Sequence, residues 1–276
     1  MSITANDGVS IVLPVHDLGP KLGEVVTAWA GTLRKMKTDF EILCVLDGPT
    51  EADLAAADKA AATEPNLKLL KHESKRGIGA VLRTALPECR FDLVAHVVPN
   101  YPYTAGDLAV FLDRIQNKDE RLGMAPALVA GCRTGRPVPA FWKALGVVYR
   151  GFLRVALGIP SEPLPGWLGF GEHLRAWRVW FVYGVPFQDP NCGMRLYRKD
   201  ALTRFPIQSD GDFVHVELAA KCTFVTSILD EVLLTGKPDP LPASDWSDAG
   251  QVFRNPQFFD PTLKPAAVAD VEAAAV

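Results

Sequence analysis

Several short segments combine residue types that can do chemistry on a phosphate-bearing ligand. Asp47-Gly48-Pro49 sets a carboxylate on a tight turn, where it either accepts hydrogen bonds from a base or ribose or serves the turn alone. Ser74-Lys75-Arg76-Gly77-Ile78-Gly79-Ala80 puts two glycines and two cations where a helix is expected to begin. A diphosphate would meet backbone N–H groups and positive side chains there; the competing reading is a strand-to-helix turn that needs glycine for its geometry. Pro14-Val15-His16-Asp17 and Val98-Pro99-Asn100 each close an apolar run, and Asp189-Pro190-Asn191-Cys192-Gly193 reads as a turn.

The elements around these segments alternate. Val9 to Val15 is a near-continuous β-branched run that suits a strand buried on both faces of a parallel sheet. Leu22, Val25, Val26 and Trp29 recur at helical spacing, Phe40 to Leu46 is a second buried run, and Glu51 to Ala62 has the composition of a surface helix. The pattern continues through a strand at Leu67–Leu70, a helix at Ile78–Leu86, a strand at Asp92–Val98, a helix at Gly106–Ile115 and a strand at Ala127–Cys132. Such alternation predicts an α/β fold of parallel βαβ units, in which ligands bind outside the carboxyl ends of the strands. Beyond it, Phe141–Gly158 reads as an amphipathic helix, Met194–Arg198 as a strand, Asp212–Lys221 as a helix and Val225–Leu234 as a strand.

The 276 residues, 48% of them hydrophobic, can fill a sizeable core. With 29 Lys and Arg against 32 Asp and Glu, the chain has no basic field with which to grip nucleic acid. Cys44, Cys89, Cys132, Cys192 and Cys222 lack paired spacing and are expected to be buried thiols of a reducing compartment. The start of the chain has no signal-peptide pattern, and no apolar run reaches the roughly 18–20 residues that span a bilayer. A cytoplasmic protein is expected, peripheral to the membrane if the stretch Phe141–Phe187, with its interleaved Trp and Arg, lies on a lipid interface. The same aromatics would equally pack on the sheet or form a homo-oligomer contact.

In order, VSIVLPVHD, EILCVLDGPT, KRGIGAVLRTAL, GCRTGR and DPNCGMRLYRKDAL followed by VELAAK resemble the family 2 glycosyltransferases, in particular their dolichyl-phosphate mannosyltransferase and polyprenyl-phosphate glycosyltransferase branch. The resemblance covers about Val9 to Leu234. It implies a three-layer α/β/α GT-A fold with a mostly parallel sheet, as one domain over 1–235. The nucleotide-binding half would span about 8–130 and the acceptor half about 131–235, with an aromatic, Arg-rich insertion at about 160–187 and a Pro/Ala-rich extension at 236–276. It further implies a nucleotide-diphosphate sugar as donor, bound by Pro14, Asp17, Asp47, Lys75, Gly77, Gly79 and Asn100. Arg76, Arg133, Arg136, Cys192, Gly193 and Arg195 would face the diphosphate or the acceptor, and Glu217 or Asp189 would be the catalytic base. A polyprenyl phosphate or other lipid-linked acceptor is expected.

The resemblance also implies Mg²⁺ or Mn²⁺ held by a D-x-D at the end of the fourth strand, where this chain has Val98-Pro99-Asn100. Valine cannot ligate a metal, and asparagine offers a neutral oxygen. Two readings stay open: the cations Lys75, Arg76, Arg133 and Arg136 replace the metal on the diphosphate, or the fold binds a nucleotide sugar without transferring it.

Overall fold

The computed structural model describes residues 8–99, 103–118, 123–134, 185, 187, 189–190, 192–225, 227–235 and 246–258. Its strands are β1 (Val9–Val15), β2 (Phe40–Asp47), β3 (Leu67–His72), β4 (Leu93–Val97), β5 (Leu128–Thr134), β6 (Met194–Arg198) and β7 (Leu229–Thr235). The described helices are α1 (Lys21–Lys35), α2 (Glu51–Thr63), α3 (Ile78–Ala85), α4 (Ala105–Gln116), α5 (Lys199–Leu202), α6 (Val214–Phe224) and α7 (Ala249–Arg254). The expected helix at Phe141–Gly158 lies outside the described residues, as does the 160–187 segment apart from Val185 and Phe187.

The strands form one sheet of order β3-β2-β1-β4-β6-β5-β7. All neighbouring pairs are parallel except those made by β6, which runs antiparallel to β4 and β5. Because side chains alternate across a strand, β1 feeds both faces: Ile11, Leu13 and Val15 join Trp29 and Leu33 of α1 and Phe111 of α4, while Val12 joins Val81 and Leu82 of α3 and Val216 of α6. The result is three layers. Each fully buried aliphatic side chain on these faces contributes about 2 kcal/mol.

Two boundaries shift for physical reasons. β3 runs two residues past the expected Leu70, because Lys71 and His72 pair with Leu46 and Asp47 although they are polar. At this sheet edge an exposed lysine is compatible with a strand. The expected strand at Val225 begins only at Leu229, because α6 runs on to Phe224 and Val225 donates its N–H to the Lys221 carbonyl as a helix cap.

Candidate functional site

The strand order reverses between β1 and β4, the point at which α/β sheets open a ligand crevice. β1 pairs with β4 only as far as Val12 and His96, but with β2 as far as Val15 and Leu46, so the ends of β1 and β4 part. Pro14, which has no N–H to offer a strand, lies past the last β1–β4 pair. The carboxyl ends of β1, β2, β3, β4, β5 and β7 all reach this edge of the sheet, and the turn before β6 reaches it from the opposite direction.

The loop after β1 is held from below. Asp17 has a left-handed backbone (φ 54°), and the N–H groups of Asp17, Leu18 and Gly19 donate to the Asp53 carboxylate at 3.0, 2.8 and 2.7 Å. Asp53 is fully buried and also closes a capping box with Thr50 at the start of α2. Burial alone would raise its pKa, but the bonds from Gly19, Thr50 and Asp17 outweigh this and bring it to about 2. Sequence reasoning passed over Asp53 inside an alanine-rich helix; its signal was Thr50-x-x-Asp53. The Asp17 side chain itself is exposed at the crevice.

Asp47 is buried, and its carboxylate accepts from the N–H of Arg76 (2.9 Å) and of Gly77 (2.8 Å) and meets Nδ1 of His72 at 2.8 Å. His72 in turn contacts the Thr84 hydroxyl through Nε2 at 2.8 Å. The carboxylate expected to meet a base or ribose thus grips the glycine turn. The turn is likewise engaged with the protein. Gly77 has φ 103° and Gly79 donates its N–H to the Asp210 carbonyl at 2.8 Å. A Cβ on Gly77 would lie 2.4 Å from that carbonyl, and one on Gly79 would lie 2.0 Å from that of Ser209. The N–H groups of Arg76, Gly77 and Gly79 thus donate within the protein. The side chains of Lys75 and Arg76 remain exposed at the sheet edge.

At the turn before β6 Arg133 and Asp189 neutralise one another. Arg133 donates through Nε and a terminal nitrogen to the two Asp189 oxygens at 2.6 and 2.8 Å, and the Asp189 N–H donates to Glu231. Burial would lower the Arg133 pKa, but this bidentate pair raises it, so the guanidinium stays charged. Arg195 is fully buried and donates to the carbonyls of Cys192, His215 and Pro190, so it ties the turn before β6 to α6. Burial pushes the Cys192 thiol up to about 11, and its Sγ lies 3.4 Å from the Tyr103 hydroxyl. A Cβ on Gly193 would fall 2.9 Å from the Val98 side chain, so the turn lies directly on the end of β4.

Glu217, expected as a base, is buried on α6 and accepts from the N–H groups of Gln208 and Ser209 at 2.7 and 2.8 Å and from Lys221 Nζ at 2.6 Å. It braces the 206–211 loop. Both expected base residues, Glu217 and Asp189, thus have their carboxylate oxygens engaged by protein donors. Asn100 and Arg136 lie outside the described residues. Among the described residues no three His, Cys, Asp or Glu side chains form a metal-ligand group. With an alkyl side chain at Val98 and Asp189 held by Arg133, the described residues here do not fit a divalent cation. All five cysteines are buried and free, and no described helix is long and apolar enough to cross a membrane.

Residues 10–97, from β1 through β4, match glycosyl transferase family 2. No curated protein matches the chain. Among solved structures, glucosyl-3-phosphoglycerate synthase from Mycobacterium tuberculosis in complex with uridine-diphosphate is 17% identical with a TM-score of 0.53, over 90% of this chain and 76% of that one. A mycobacterial protein is 19% identical at TM-score 0.53, over 85% and 68%. Mannosyl-3-phosphoglycerate synthase from Rubrobacter xylanophilus is 13% identical at TM-score 0.51, over 89% and 70%. The polyprenyl-phosphate branch expected from the motifs is not among these likenesses. The chain has a GT-A fold whose first four strands match glycosyl transferase family 2.

Proposed function

We propose that the protein transfers a sugar from a nucleotide-diphosphate sugar, held in the crevice between the ends of β1 and β4, to an acceptor that arrives with an anionic oxygen, such as a polyprenyl or other lipid-linked phosphate. The observation that carries this reading is the coincidence of the reversal point of the sheet with the family 2 segment. The mycobacterial synthase of similar fold has been crystallised with Mn²⁺, uridine-diphosphate-glucose and phosphoglyceric acid, which supports a uridine nucleotide as the first donor to try.

In this reading Pro14 and Asp17 line the nucleotide pocket, and Lys75, Arg76 and Arg136 meet the diphosphate. Asp47, Gly77 and Gly79 shape that wall from behind, while the Arg133–Asp189 pair and Arg195 hold the Cys192-Gly193 turn where the acceptor enters. The acceptor oxygen bonds to the anomeric carbon as the carbon–oxygen bond to the diphosphate breaks, and the bonding pair leaves with the nucleoside diphosphate. An acceptor already ionised needs no general base, which agrees with the internal engagement of Asp189 and Glu217.

A second reading, binding without transfer, is favoured by the same engaged carboxylates and by Val98-Pro99 at the end of β4. A panel of UDP-, GDP- and dTDP-sugars, with Mn²⁺ or with EDTA, separates the two. The expected result is turnover that survives EDTA. Nucleotide binding with no turnover on any donor would favour the second reading, and absence of any nucleotide binding would remove both.

A further inference from the structure

Thr27 and Thr32 on α1, Thr63 on α2 and Thr223 on α6 turn their hydroxyls back onto a carbonyl of the preceding helical turn, the usual arrangement for a helical threonine. Thr84 on α3 is held differently. Its hydroxyl lies 2.8 Å from Nε2 of His72 at the end of β3, and Nδ1 of that ring lies 2.8 Å from an Asp47 carboxylate oxygen. The His72 and Asp47 side chains are both 5% exposed, whereas Thr84 is only partly buried, so the hydroxyl is the member of this row that a solute reaches.

The chemistry of the groups places the hydrogens along the row. The Asp47 carboxylate accepts from the N–H groups of Arg76 and Gly77, so it is the acceptor toward His72 as well, and Nδ1 carries the ring hydrogen. Nε2 then holds a lone pair, and the hydrogen in the second contact is the threonine's own. A hydroxyl that donates to an imidazole held by a buried carboxylate is the arrangement that turns a side-chain oxygen into a nucleophile. Thr84 lies near the end of α3, where backbone N–H groups are engaged in helical bonds, so its own N–H is not free to hold a developing oxyanion. Such a site suits one transfer from a donor with a good leaving group, rather than repeated hydrolysis.

We propose that Thr84 is a site of covalent acylation, taking an acyl group from a small activated ester with His72 as general base. The Thr84 oxygen bonds to the carbonyl carbon of the ester while its proton passes to His72 Nε2. The bond from that carbon to the leaving group then breaks, the bonding pair departs with the leaving group, and the proton on His72 goes to that group or to water. This site does not depend on what the crevice binds.

The test treats the whole chain with p-nitrophenyl acetate and follows the acetyl groups residue by residue, by mass spectrometry of its peptides. Thr63, exposed on α2 and bonded to carbonyls, is the reference hydroxyl within the same molecule, and the exposed Lys59 is the reference for the reagent. Thr84 is expected to be acetylated at least about a hundredfold faster than Thr63, the effect that a positioned base gives. Thr84→Val is expected to lose that acetyl group while Lys59 is labelled as before. His72→Gln, which can still hydrogen-bond to Asp47 but has no basic nitrogen, is expected to slow labelling of Thr84 about a hundredfold. Thr84 labelled no faster than Thr63, an acetyl group that persists on the same peptide in Thr84→Val, or equal labelling of Thr84 in His72→Gln and the wild-type chain overturns the proposal. The comparison of Thr84 with Thr63 is made in the wild-type chain and needs no variant to fold.

Discussion

Asp47 illustrates how a buried carboxylate can set the shape of a turn far along the chain. Its two oxygens hold Arg76 N–H, Gly77 N–H and the His72 ring. Replacing one oxygen with an amide nitrogen turns an acceptor into a donor opposite another donor. Leaving such a buried N–H unpaired costs about 1–3 kcal/mol. Asp47→Asn is expected to lose about 2 kcal/mol in urea unfolding and to weaken uridine-diphosphate binding at the same time, because the turn carrying Lys75 and Arg76 loosens. Weakened binding at unchanged stability would instead assign the carboxylate to the ligand. The sequence marks Asp47, Gly77 and Gly79 as special, but their partners are far along the chain. Asp47 meets Gly77 thirty residues on, and Arg133 meets Asp189 at a separation of 56. Residue type and local spacing carry no trace of such pairings.

At the scale of elements, the Gly-x-Gly start of α3 is a packing device. The 206–211 loop is clamped between α3 and the 246–258 segment: Gly79 N–H and Arg83 hold it from one side, and the Asp248 carboxylate accepts from Asp210 and Gly211 N–H on the other. Gly79→Ala would place a methyl against the Ser209 carbonyl, and neither backbone can easily retreat. A loss of about 3 kcal/mol is expected. Gly31, inside α1, has nothing within 4 Å of an added Cβ, so Gly31→Ala is expected to gain about 0.5–1 kcal/mol from helix propensity alone. Denaturant midpoints at unchanged slope measure both. Equal effects in the two variants would mean that the contact with Ser209 is not what the glycine serves.

For the molecule as a whole, the parallel half of the sheet was readable because doubly buried strands are continuous β-branched runs, as in Val9–Val15 and Phe40–Asp47. The direction of β6 was not, since Met-Arg-Leu-Tyr-Arg reads the same for either orientation. That orientation decides which polar residues enter the core. It sets Arg195 opposite His96 across β4 and β6, and α6 lays His215 on the pair, with the two imidazoles 5.2 Å apart. Both histidines are buried, and His96 Nδ1 and Nε2 and His215 Nδ1 have no hydrogen-bond partner among the described residues. Burial first, and then the charge of Arg195, pushes His96 down to about 3 and His215 well below its ordinary value. Both are therefore neutral in the fold, whereas in the unfolded chain they titrate near pH 6.5. Their contribution to stability is complete above about pH 6.5 and is lost as the pH falls from there toward the folded-state values. Each histidine accounts for about 1.4 kcal/mol per pH unit inside that window. His96→Leu fills a similar space and removes two unpaired nitrogens, so it is expected to be close to neutral at pH 7 and to flatten the acid limb by about 1.4 kcal/mol per unit. Urea unfolding between pH 4 and 7 reads the difference. Parallel acid limbs for the variant and the wild-type protein would mean that His96 takes up a proton in the folded state, and that the β4–β6–α6 face is not closed to charge.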